Sequence, residues 1–228
     1  MLKRFFALAA ALVVVGTLGV AEARTRRGDR IEQLPANSRI LIMQPDVQLS
    51  ILTAAGVPEP REDWSIAGRN NLARSLEATV TREQHVASAL DPQTAMEGRT
   101  GQIIRLHDAV GGAILYDRVL KLPTLRDHPQ WTLGEGVQEL ATAYSADYAL
   151  FVVARGSYAS GARTAAAIVG FVAGVYIPMG GQQVFASLVN LHTGEIVWFG
   201  VENANGSDMR EVLGASAVVA KLLADAPL

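Results

Sequence analysis

Tyr148-Ala149-Leu150-Phe151-Val152-Val153 runs for six residues without a charged or small polar side chain. A strand with one wet face alternates apolar and polar residues, so an unbroken run reads as a strand covered on both faces. Ile40-Leu41-Ile42-Met43, closed by Pro45, is a second such run. Two strands of this kind imply a sheet with layers on both sides.

Helical periods lie between and around them. From Asp63, a candidate N-cap, Trp64, Leu72, Leu76 and Val80 recur at multiples of four, and the pattern can run to Leu90 before Asp91-Pro92 stops it. Ile103, Leu106, Val110, Ala113 and Ile114 form a second apolar stripe. Val137, Leu140, Ala141 and Tyr144 form a third, with Thr132 as its expected cap. Met209, Val212, Leu213, Ser216, Val219, Leu222 and Leu223 make the last, capped by Ser207 or Asp208. Before it stands a hairpin, residues 183–191 and 196–199 about His192-Thr193-Gly194-Glu195, where Gly194 supplies the positive φ of a tight turn. The expected fold is α/β (α+β): a single three-layer domain with a mixed central sheet flanked by helices, ending in a β-hairpin and then a helix.

Residues 1–23 read as a secretory signal. Lys3 and Arg4 precede an apolar stretch over 5–20, and Ala21-Glu22-Ala23 offers small residues at the cleavage site. Sixteen residues fall short of the roughly 20 that span a bilayer. Residues 24–38 open with four arginines in seven and read as a basic flexible leader, and 39–228 as the single domain. Arg outnumbers Lys by 17 to 3, a habit of GC-rich bacterial genomes. The expected location is the periplasm, with outer-membrane association left open. The chain has no cysteine, which removes disulfides, thiolate catalysis, cysteine-bound zinc and a thioether lipid anchor. A net charge of −2 gives no basic field for nucleic acid.

Searches for catalytic patterns return little. GxxxxGK[ST], GxGxxG and GxSxG are missing. Gly156-Ser157-Tyr158-Ala159-Ser160-Gly161 reads as a glycine-rich loop, and a hydrolase on Ser157 or Ser160 ranks third among functions. His85, His107, His128 and His192 are scattered and read as exposed or satisfied polar residues. Glu135 and Glu139 read as a solvated helical face, and Arg155 and Arg163 as solubilising charge. No catalytic residue, cofactor or metal site is expected.

The most informative feature is a run over 164–194 with no Asp, Glu, Lys or Arg, in a chain that is 18% charged. Its centre is Ala165-Ala-Ala-Ile168-Val169-Gly170-Phe171-Val172-Ala173-Gly174-Val175-Tyr176, followed by Ile177-Pro178-Met179-Gly180-Gly181. Two readings stay open: a buried helix or hairpin on the domain's own sheet, or an exposed apolar insertion meeting a membrane or a like subunit. On the second, the contact residues are Phe171, Val172, Val175 and Tyr176, with Gly170 and Gly174 as a small-xxx-small pair admitting another helix.

Three motifs carry a resemblance. Ile40-Leu-Ile-Met-Gln-Pro45, Ala146-Asp147-Tyr148-Ala-Leu-Phe151 and Leu188-Val189-Asn190-Leu191-His192-Thr193-Gly194-Glu195-Ile196-Val197-Trp198 resemble, in order, the opening strand, central strand entry and hairpin of a bacterial envelope superfamily. It includes the curli-secretion channel subunit, the amino-terminal domain of the Tol-system propeller protein and lipoprotein activators of peptidoglycan synthases. Many of its members are lipoproteins, and this chain lacks the lipid-accepting cysteine. The resemblance implies no catalytic residues. The expected function is an exported, non-enzymatic envelope accessory or assembly protein acting by protein–protein or membrane contact. Its expected partner is another envelope protein, a like subunit in a homo-oligomer, or the outer-membrane surface. The runner-up is a periplasmic binding module for a small apolar or glycan ligand, with the same segment as pocket wall.

Overall fold

The fold comes from a computed structural model, and the structure describes residues 33–90, 97–120 and 130–228. The signal-like segment, the arginine-rich start of the leader and His128 lie outside the described residues. The elements in order are β1 (Arg39–Ile42), β2 (Asp46–Leu52), β3 (Pro58–Pro60), α1 (Glu62–Arg82), β4 (Val86–Ala89) and α2 (Gly98–Leu120). A 3-10 turn (Glu135–Val137) leads into α3 (Gln138–Tyr144). Then come β5 (Tyr148–Ala159), α4 (Gly161–Val172), β6 (Gln182–Asn190), β7 (Ile196–Asn203) and α5 (Val212–Leu222).

The seven strands among the described residues form one mixed sheet built around β5. On one side β5 runs parallel to β1 over its first residues and to β2 over its last, because the chain turns at Gln44-Pro45 and continues along the same neighbour. β6 pairs antiparallel on the other side, and β7 pairs with β6. β4 extends the sheet beyond β1, and the short β3 extends it beyond β2. Two prolines in three residues suit an edge such as β3, where a missing amide costs no ladder bond.

The apolar run of β1 is explained by two cores. Ile40 and Ile42 pack with Leu72, Leu76 and Val80 of α1 and with Val218, Val219 and Leu222 of α5. Leu41 and Met43 face the other way, toward Ile103 and Ile114 of α2 and Leu140 of α3. β5 divides likewise, with Leu150 and Val152 on the first core and Ala149 and Phe151 on the second. The three-layer α/β domain is therefore as the sequence implies, and the hairpin turns at Gly194 with φ +77. In that turn the Asn190 side chain accepts from the His192 amide at 2.9 Å.

Several local readings are corrected. α1 ends at Arg82 because Gln84 adopts φ +64 and the amides of Gln84 and His85 cap carbonyls of the last turn. That left-handed stop carries no glycine, so β4 was hidden inside an apparent helix. Arg61, not Asp63, stands at the α1 N-cap, and Asp63 pairs with it at 2.6 Å. The Thr132 hydroxyl ties Gly134 to Gly194 and caps no helix. Glu211 precedes α5, while Asp208 grips Arg210 in the turn before it. Residues 156–159 belong to β5, whose pairing with β2 continues to Ala159. At the other end, Leu34 is buried and its amide donates to the Pro227 carbonyl, so packing begins before Arg39.

Candidate contact site on the fourth helix

The extra length of β5 positions everything that follows. Because β5 pairs with β2 out to Leu52, the chain leaves at the far end of the sheet, and the Ser160 amide donates to the Leu52 carbonyl at 2.9 Å. Ser160 then caps α4, its hydroxyl accepting from the Arg163 amide at 3.1 Å.

Within α4, Arg163 and Gly170 are the two buried residues. Arg163 is only 8% exposed. Its guanidinium donates to the carbonyl of Pro178 at 2.7 Å, and to those of Ala54 at 3.3 Å and Thr53 at 3.5 Å. One side chain thus ties the helix root to the turn before β3 and to the segment returning to β6. Solubilising charge is the wrong description of it.

The return is equally compact. The Val175 amide donates to Gly170 at 2.7 Å and the Gly174 amide to Phe171 at 3.1 Å. A Cβ on Gly170 would stand 3.0 Å from the Ile177 methyl. The small-xxx-small reading is corrected here. Gly170 admits the chain's own Ile177, and Gly174 (φ +75) lies past the helix end as its left-handed stop.

The expected contact residues fall on the outside. Phe171 is 83% exposed, Val172 84%, Tyr176 87% and Val175 55%. The structure adds Ile168, Val169 and Met179, which the sequence pattern does not single out. Ile168 and Val172 are one turn apart, a spacing that marks one helix face. The helix of this segment is thus no buried core helix, while 184–189 of the same charge-free run are buried in β6. The described helices include none long and apolar enough to cross a membrane.

The remaining candidates are accounted for by packing. Glu139 pairs with Arg99 at 3.1 Å, and Glu135 stands in the 3-10 turn rather than on the helix that carries Glu139. Arg155 pairs with Asp46. The described histidine that meets a serine is His107, whose Nε2 lies 2.7 Å from Ser187 Oγ, with Asp108 at 3.7 Å from Nδ1. Both partners are fully enclosed and the imidazole stacks on Phe151 at 4.1 Å, so no substrate reaches the hydroxyl. The Ser160 hydroxyl accepts from the Arg163 amide, and the Ser157 backbone amide donates to the Gly181 carbonyl.

His107 does make a prediction. Desolvation lowers its pKa from 6.5, against a smaller opposing effect of Asp108, so the folded protein holds it neutral. The unfolded chain takes up that proton as pH falls below about 6.5, so stability drops with acid in this window. Asp147, held well below the usual carboxylate range chiefly by its bond to Arg39, adds stability that is lost at lower pH still. Denaturant midpoints between pH 7.5 and 5 should therefore fall, and His107→Gln should flatten the decline. An unchanged slope in that variant would assign the effect elsewhere.

No protein-family model matches the chain, and a search of curated proteins finds no match. Among solved structures, the PelC dodecamer from Paraburkholderia phytofirmans is similar at 14% identity and a TM-score of 0.36, covering 89% of this chain and 94% of that one. Lipoprotein GNA1162 from Neisseria meningitidis is similar at 13% identity and a TM-score of 0.34, covering 83% and 99%. The C-terminal domain of LpoB from Salmonella enterica is similar at 16% identity and a TM-score of 0.30, covering 75% and 84%.

Proposed function

We propose that this chain is an exported accessory or assembly protein of the bacterial envelope that acts by contact through α4, without catalysis. The observation that carries this reading is a helix that shows its apolar side chains to water. Twelve residues make a marginal helix in isolation, and helices of this length normally draw stability from a buried apolar face. α4 buries almost none of its own, so a partner surface would complete it. Exposed large apolar side chains gathered on one projection mark a contact surface more often than a free one. The signal-like residues 1–23 and the three motif resemblances supply the envelope location.

The binding-module alternative has less support. A cleft of about 160 Å³ lies between the end of α1 and α5, lined by Thr79, Arg82, Glu83 and Leu223 among others. It falls below the roughly 300–1,000 Å³ of ordinary ligand pockets. It also sits at the end of the sheet where β1 and β4 begin, away from α4.

Cell fractionation, followed by sizing with and without detergent, tests the proposal. The chain should appear in the membrane fraction or as a detergent-sensitive assembly. Phe171→Asp combined with Val175→Asp should reduce either signal by on the order of a hundredfold, since carboxylates resist transfer from water. Unchanged partition and association in that variant would remove α4 as the contact.

A further inference from the structure

We infer that the α4 projection docks tip-first on the surface of an electrically neutral lipid layer. This rests on the contact reading above and commits it to one occupant. The first argument is where exposure lies. Ile168, Val169, Phe171 and Val172 fan across roughly 160° of the helix at its end, and Val175 and Tyr176 on the return continue the exposed surface around the tip. The strip at Gly170, closed by Ile177, is the part turned to the protein itself. Helix face and return together make a rounded apolar cap, which a fluid medium can envelop more completely than a flat protein surface can.

The second argument is the direction of the polarity gradient. Ser160, Arg163 and Thr164 stand at the root with Gln182 and Gln183, and the aromatic and branched residues stand at the tip. A lipid boundary changes polarity along one axis in the same way. The helix is about 18 Å long at 1.5 Å per residue, comparable with the roughly 15 Å hydrocarbon depth of one leaflet. Shallow seating at the headgroup–acyl boundary therefore uses only its outer turns.

Charge decides which lipid. Surface helices that bind anionic membranes carry Lys and Arg on their polar face. Here the one cation of the helix, Arg163, is turned inward on three carbonyls, and no other charge occurs before Glu195. Attraction to lipid phosphate is thus absent from the projection, and apolar transfer does the binding.

The test uses the purified full chain and vesicles of phosphatidylcholine, with and without phosphatidylglycerol. Relative to wild type, whose three tryptophans set the baseline, Phe171→Trp should add emission that blue-shifts with vesicles and is quenched by lipids brominated near the headgroup end of the acyl chain. Phe171→Gln with Val172→Gln, helix-compatible changes at exposed positions, should lower vesicle affinity by on the order of thirtyfold. All variants keep residues 1–23, so any contribution of that stretch is common to them. Dependence on phosphatidylglycerol of the part of the affinity that the Gln pair removes overturns the inference. So does emission from the Phe171→Trp variant that stays water-exposed, alongside self-association that the Gln pair abolishes, which makes a second copy the occupant and leaves the contact reading intact. Loss of neither vesicle binding nor association in the Gln pair overturns both.

Discussion

Trp198→Ala is expected to lower the free energy of unfolding by about 4 kcal/mol, within the range for deleting a buried aromatic. Trp198 is the largest fully buried side chain and sits on β7 opposite Leu188 of β6, in the core shared with α5. Its ring lies so close over the strand that a Cβ on Gly200 would come within 2.7 Å of it. The indole Nε1 meets no acceptor among the described residues. Burying that donor already costs the fold something, so Trp198→Phe should lose far less, about 1–2 kcal/mol. Urea unfolding should show midpoints ordered wild type, Phe, Ala with equal m-values. A loss below about 2 kcal/mol for Trp198→Ala would mean that β7 and α5 close over the gap.

The second large effect is local. Arg163→Ala should speed amide exchange across α4 by on the order of thirtyfold, equivalent to about 2 kcal/mol of opening free energy. The guanidinium joins three backbone carbonyls from two other segments, and nothing else on α4 is buried except Gly170. Amides in the overlap of β5 and β6 should keep their protection, because their pairing does not depend on the projection. Arg163→Lys should fall between, since an ammonium lacks the planar fork that reaches separate acceptors. Gly56→Ala offers an independent check: Gly56 has φ +85 and a Cβ there would stand 3.0 Å from the Arg163 Nη1. Hydrogen exchange read by mass spectrometry separates these outcomes. Uniform protection in Arg163→Ala would show that the helix is held by something other than this side chain.

What was readable along the chain follows from how local each signal is. Continuous apolar runs identified β1 and β5, and the Asn190–Gly194 turn identified the last hairpin, because both patterns are written within a few residues. β4 was not readable. Val86-Ala-Ser-Ala89 is short and bland, and its helix boundary is a glutamine in a conformation usually left to glycine. β2, directly after a proline, takes its strand character from pairing with β5. The second half of β5 was hidden for the opposite reason, since Gly156 and two serines mimic a loop while β2 and β6 hold them in register.

By itself the sequence determined a layered α/β domain, a terminal hairpin, and the existence of one charge-free apolar segment. Whether that segment is core or surface depended on the tertiary structure alone. Apolar composition states a preference for leaving water but does not say which neighbour will accept the residue. Here the overrun of β5, the Arg163 clasp and the Gly170–Ile177 contact carry the first half of the segment beyond the reach of both cores, so its large apolar side chains stay in solvent, while the second half is buried as β6. Burial is decided by residues far away in the chain, and no local pattern of Phe, Val and Gly encodes their positions.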